Sequence, residues 1–114
     1  MVRSIEMRAS NEEIRDQMLK IADGIEKEIE RIEDVSQWLE GVLEVRRVQS
    51  IVDGKWETVK YELLLTYGGP TVRVWTDGTI RITWGFDYLE GLLSEEAIEK
   101  LKEVEEYLDS LESE

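Results

Sequence analysis

Two Asp-Gly pairs, Asp53-Gly54 and Asp77-Gly78, each lie between runs rich in β-branched and aromatic residues. Such pairs tolerate the positive φ angles of tight hairpins, so each marks a reversal between two antiparallel strands. The runs cover residues 42–52, 56–67, 71–75 and 79–84, and Gly68-Gly69-Pro70 joins the two hairpins. Glycine supplies positive φ and proline fixes its own φ, so this tripeptide is read as a tight turn. A phosphate loop would need Gly-Lys-Ser/Thr opening a helix, and here a strand follows. The simplest arrangement is a four-stranded antiparallel β-meander.

Loop length decides which side chains share a face. A three-residue loop Thr76-Asp77-Gly78 pairs Val74 with Ile80 and Val72 with Ile82, whereas a two-residue loop pairs Val74 with Arg81. The same test at Val52-Asp53-Gly54 pairs Val45 with Tyr61 and Leu43 with Leu63. Three-residue loops are therefore expected in both hairpins, each a type I turn followed by a left-handed glycine. One face then carries Leu43, Val45, Val59, Tyr61, Leu63, Leu65, Val72, Val74, Ile80 and Ile82. The other carries Arg46, Trp56, Lys60, Arg73, Trp75 and Arg81 as candidate binding residues, with Thr58, Thr71, Thr83, Glu44 and Glu62 among them. Arg47 falls on the apolar side, at the edge, where an ion pair with a helical carboxylate is expected.

Helical periodicity flanks the strands. Ser10 followed by Glu13 fits a capping box, and Ile14, Met18, Ile21, Ile25, Ile29 and Ile32 form one apolar stripe. Asp34 recaps a short segment containing Trp38 and Leu39 that stops at Gly41, so residues 10–41 hold one helix or two. From Ser94, Ala97, Leu101, Val104, Leu108 and Leu111 repeat at helical spacing to about residue 112. The segment 85–91 is read as a connection or a small binding loop. The expected architecture is one α+β domain over residues 1–114, a two-layer sandwich of helices on a four-stranded sheet.

Composition narrows the chemistry. The 114 residues include no cysteine and no histidine, which removes disulfides, thiolate nucleophiles, the commonest general base and the commonest transition-metal ligand. Glu95, Glu96, Glu99 and Glu103 could serve only a hard cation, and they lack calcium-loop spacing. They read as a solvated helix face. No catalytic residue, metal site or cofactor is expected. Scarce Asn and Gln beside abundant Glu, Ile and Val suggest a thermophilic source. No apolar run reaches the ~20 residues of a membrane span, and the first residues lack a signal peptide's apolar core, so a cytoplasmic location is expected.

Net charge is −13, unevenly spread. Residues 1–41 hold 11 acids and 6 bases, residues 42–84 hold 5 and 6, and residues 85–114 hold 11 and 2. This disfavours nucleic-acid binding over the whole surface, which needs excess Lys and Arg. A protein partner is expected, with a homodimer through the N-terminal stripe, or acidic helices imitating nucleic-acid phosphates against a basic partner. The alternative is a nucleic-acid or nucleotide binder using the Arg/Trp face of the sheet.

Tyr61-Glu62-Leu63-Leu64-Leu65-Thr66-Tyr67-Gly68-Gly69-Pro70, then Val72, Val74 and Trp75, then Trp84-Gly85 before an acidic helix, resembles a small family of uncharacterised bacterial and archaeal proteins. The resemblance covers about residues 56–110. It implies a mobile-element or viral context, in which the phosphate-imitating acidic helices would make the chain an inhibitor, and by itself it supplies no activity and no catalytic residues to carry over.

Overall fold

The structure, a computed structural model, describes residues 1–112. In chain order the elements are β1 (Arg3–Arg8), α1 (Glu12–Glu30), α2 (Val35–Leu39), β2 (Glu44–Val52), β3 (Lys55–Thr66), β4 (Thr71–Trp75), β5 (Thr79–Trp84), β6 (Asp87–Leu92) and α3 (Glu95–Glu112). The α+β class is as expected, but the sheet has six strands rather than four, in the order β1-β6-β5-β4-β3-β2, with antiparallel neighbours throughout.

The extra strands come from segments with weak alternation. Residues 85–91 are not a loop. Gly85-Phe86 is a two-residue turn, and β6 runs back along β5 with Asp87, Leu89 and Gly91 inward. Only one of those three inward residues is a large hydrophobe, so the strand period is faint in the sequence. Strand β1 closes that side, interrupted by a bulge between Arg3 and Glu6 with Ser4 at φ 53°. Gly91 makes room for it, because a Cβ there would lie 2.6 Å from Val2 Cγ1.

The first helix is capped by Asn11, whose side chain accepts the Ile14 N–H at 2.9 Å. The expected Ser10 capping box is absent. Ser10 instead donates to the buried Asp87 carboxylate at 2.8 Å, a partner that exists only because β6 exists. Asp34 caps α2 through Gln37 N–H, so the region holds two helices.

Both long helices lie on one face of the sheet. Met18, Ala22 and Ile29 of α1 and Ala97, Leu101 and Val104 of α3 are fully buried with Leu63, Val72, Val74, Ile80, Ile82 and Leu89. Each large side chain so placed contributes on the order of 2 kcal/mol of transfer free energy. Of the α1 stripe, Met18, Ile29 and Ile32 are buried in this core, and Ile14, Ile21 and Ile25 are partly buried against it.

The β4–β5 hairpin has the expected register, Val74 with Ile80 and Val72 with Ile82. Gly78 N–H closes the turn onto Trp75 O at 2.9 Å, with Gly78 at φ 99°. The β2–β3 hairpin differs. Val52 pairs with Lys55, so the turn is Asp53-Gly54 alone, with φ of 50° and 78°. Two consecutive positive φ values are those of a type I′ turn, whose twist suits a two-residue hairpin. A bulge at Val59 then restores the expected parity, and Val45 meets Leu63 while Arg47 meets Tyr61. Arg47 pairs with Glu112 of α3 at 3.1 Å, as expected of it.

Tyr61, 2% exposed, donates its hydroxyl to Asp109 of α3 at 2.7 Å. Burial, and then the Asp109 hydrogen bond and charge, hold the phenol well above its usual range. The unfolded chain therefore ionises first, and Tyr61's contribution is complete below about pH 10 and is lost as pH rises beyond it. Tyr61→Phe is expected to cost about 1 kcal/mol at neutral pH. It should also flatten the alkaline loss of stability. Urea denaturation of both proteins at about pH 8 and about pH 10.5 checks this, and equal alkaline losses would refute the assignment.

Candidate functional site

The face of the sheet away from the helices is open. Register places Arg46 opposite Glu62, Trp75 opposite Glu62 on the other side, Arg73 opposite Leu64 and Arg81, and Arg81 opposite Glu90. Arg46, Arg73, Trp75 and Arg81 are therefore brought onto one face, as expected. Lys60 lies at its margin, opposite Val48.

Trp56 is not on this face, which corrects the sequence expectation. The bulge at Val59 shifts the alternation, so Thr58 pairs with Gln49 and Trp56 with Ile51. These residues continue the side of Val45 and Arg47, which is the helix side of the sheet. The helices do not reach that far, and Trp56 is 67% exposed. A bulge adds one residue to one strand, and every side chain beyond it turns over.

Carboxylates match the cations of the open face. Arg73 Nε lies 3.0 Å from Glu62, Arg81 Nη1 lies 2.6 Å from Glu90, and Arg46 contacts Glu44. Lys60 Nζ lies 3.0 Å from Asp77. Partial burial pushes the Asp77 carboxyl up, but the Thr79 N–H and Lys60 outweigh it, so it sits below its usual range. The Arg81 guanidinium also stacks 5.1 Å from the Tyr88 ring centre. Glu90 and Tyr88 belong to β6, so their part in neutralising the face was invisible without that strand. The hollow among Glu44, Arg46, Glu62, Leu64 and Arg73 is only about 10 Å³, far below the ~300 Å³ of a small-ligand pocket.

Larger hollows lie on the helical side. One of about 670 Å³ opens between α1 and α2, beside Lys27, Arg31 and Trp38. Another of about 580 Å³ lies between α1 and β1, beside Val2, Ile5 and Leu19. Among the described residues no three carboxylates converge as a metal site, and Glu95, Glu96, Glu99 and Glu103 stay dispersed along α3. No helix among the described residues is long and apolar enough to cross a membrane.

The most distinctive surface is one that the strand pattern concealed. Strand β4 pairs with β3 only from Glu62 onward, with a last contact from Thr76 N–H to Tyr61 O. Residues 48–60 therefore run on as a two-stranded ribbon beyond the sheet. The molecule is elongated accordingly, 47 × 34 × 25 Å. Ile51 (62% exposed), Trp56 and Val59 lie bare on the ribbon, with Leu43 and Val45 at its base. Leu43, Val45 and Val59 were expected under the helices and are instead exposed. Comparison with known proteins adds no relative: no family model, curated protein or solved structure matches the chain.

Proposed function

We propose that the chain is a non-enzymatic binding or regulatory protein that acts through protein–protein contacts, with the β2–β3 ribbon as its contact surface. The observation that carries this reading is the pairing of Trp56 with Ile51, both more than half exposed, on a ribbon that no other described residue covers. A two-stranded ribbon is marginal by itself, and leaving apolar side chains bare costs solubility. Contact surfaces use such groups, and tryptophan is prominent among residues that dominate binding energy. The open sheet face supports nucleic-acid binding less well, because its bases are matched by carboxylates and a phosphate would have to displace them. The resemblance to small bacterial and archaeal proteins adds a mobile-element or viral setting to this reading.

Photo-crosslinking tests the reading. A photoreactive residue in place of exposed Gln49 is expected to capture discrete protein species in the source cells, while the same residue in place of exposed Ser36 captures none of them. Adding Ile51→Ser and Trp56→Ser should abolish the capture. Identical products at positions 49 and 36, or no product at 49, would overturn the reading.

A further inference from the structure

The two edges of the sheet are built differently. Strand β1 is six residues long, carries Arg3, Glu6 and Arg8, and is broken by the bulge at Ser4. These are ordinary ways to stop an edge from templating another strand. Strand β2 is nine residues long and contains neither proline nor glycine. The bulge in its hairpin falls on β3, so β2 is continuous. Its outer edge has no strand beside it among the described residues.

We propose that β2 pairs antiparallel with β2 of a second copy of this chain, across a two-fold axis at Val48, joining two sheets into one. The inference rests on the reading of the β2–β3 ribbon as a contact surface and names its occupant. The register follows from geometry. Directly opposed residues of neighbouring strands point to the same face, so the axis must pass through a residue and not between two. Val48 is the centre that pairs all nine residues of β2. Axes at Arg46 or Arg47 would set an arginine against its own copy, and like charges directly opposite are destabilising. With the axis at Val48, Arg46 meets Ser50, Arg47 meets Gln49, and Val45 meets Ile51 twice, once on each side of the axis. Val45 and Ile51 are 39% and 62% exposed in one copy and share a face.

Charge selects the same edge. At −13, two copies repel over most of their surfaces. Strand β2 carries one acid and two bases, and Arg47 is already held by Glu112. This edge can therefore approach its own copy without adding acid to acid. Repulsion between the acidic remainders is screened by salt, so the pairing should strengthen as ionic strength rises.

The absence of cysteine permits a direct test. Opposed Cα atoms in antiparallel strands lie about 4.5–5.5 Å apart, within the range a disulfide spans. Val48→Cys is expected to form a disulfide-linked dimer under mild oxidation much faster than Ser36→Cys. Sedimentation should find the unmodified protein dimeric at tens of micromolar, more so at high salt. Ile51→Lys should weaken the dimer roughly tenfold or more, through loss of both Val45–Ile51 pairs, while leaving the circular dichroism spectrum unchanged. A protein monomeric at hundreds of micromolar in high salt, or equal oxidation rates for the two cysteine variants, would overturn the proposal. A monomer whose position 49 still crosslinks a foreign protein removes self-pairing alone and leaves the ribbon as a contact surface. A monomer with no crosslink removes both.

Discussion

Gly78→Ala is expected to be among the most destabilising single-methyl additions in this protein, at about 2–6 kcal/mol. Two separate costs combine. Gly78 sits at φ 99°, where an L side chain is strained by about 1–3 kcal/mol. A Cβ there would also lie 2.6 Å from Ile98 Cγ1 and 2.8 Å from Ile98 Cδ1, so α3 or its side chain must move. Such overpacking costs about 1–3 kcal/mol. The position joins two layers, since Gly78 O accepts the Leu93 N–H at 2.8 Å just before α3 begins. The two costs separate in a double-mutant cycle with Ile98→Ala. That change removes the atoms the new methyl would meet and leaves the backbone strain. Denaturant unfolding should give a smaller penalty for Gly78→Ala in the Ile98→Ala background. Equal penalties in both backgrounds would mean that Ile98 yields freely and that strain alone operates.

The second large effect is expected at Glu26, a carboxylate only 1% exposed on α1. Its Oε2 accepts the Ser94 N–H at 2.8 Å, and its Oε1 lies 2.5 Å from the Met1 amino group. Ser94 is the residue that starts α3. Its hydroxyl accepts the Ala97 N–H at 3.1 Å and donates to Glu30 at 2.5 Å. One buried acid thus fixes the start of α3 against the middle of α1. Glu26→Leu keeps the bulk and removes both acceptors, leaving the Ser94 N–H without its partner. The expected loss is about 2–3 kcal/mol, or roughly 10 °C in Tm for a domain of this size. Glu26→Gln retains an oxygen for Ser94 and should lose about half as much or less. Calorimetry of both variants decides the matter. If Gln costs as much as Leu, the charge facing Met1 matters more than the cap of α3.

These two sites were not legible in the sequence to the same degree. Gly78 was, as a left-handed glycine in a three-residue loop, because turn chemistry is local. Its clash with Ile98 was not. Glu26 interrupts no pattern, and a glutamate among the many of an amphipathic helix looks solvated. Its burial depends on Ser94, 68 positions away. The candidate site divides in the same way. Arg46, Arg73, Trp75 and Arg81 follow from alternation along strands that are regular between them. Trp56 was misplaced because the bulge at Val59 and the two-residue turn at Asp53-Gly54 shift parity in opposite senses. Their effects cancel at Val45 and do not cancel at Trp56.

Local sequence determined the α+β class, the four strands of the β2–β5 meander, the β4–β5 register, the cap at Asp34, the start of α3 near Ser94 and the apolar faces of α1 and α3. Each of these depends on residues within a turn or a strand length of one another. Tertiary structure alone decided that β1 and β6 are strands. Asp87 and Gly91 make sense inside only beside Ser10 and Val2, which come from the far end of the chain. It also decided that Glu62 and Glu90 answer the arginines of the open face, and that β2 ends the sheet with no described strand beside it. A strand's neighbours, and hence its free edge, are set by pairing over long sequence separations, which side-chain periodicity does not encode.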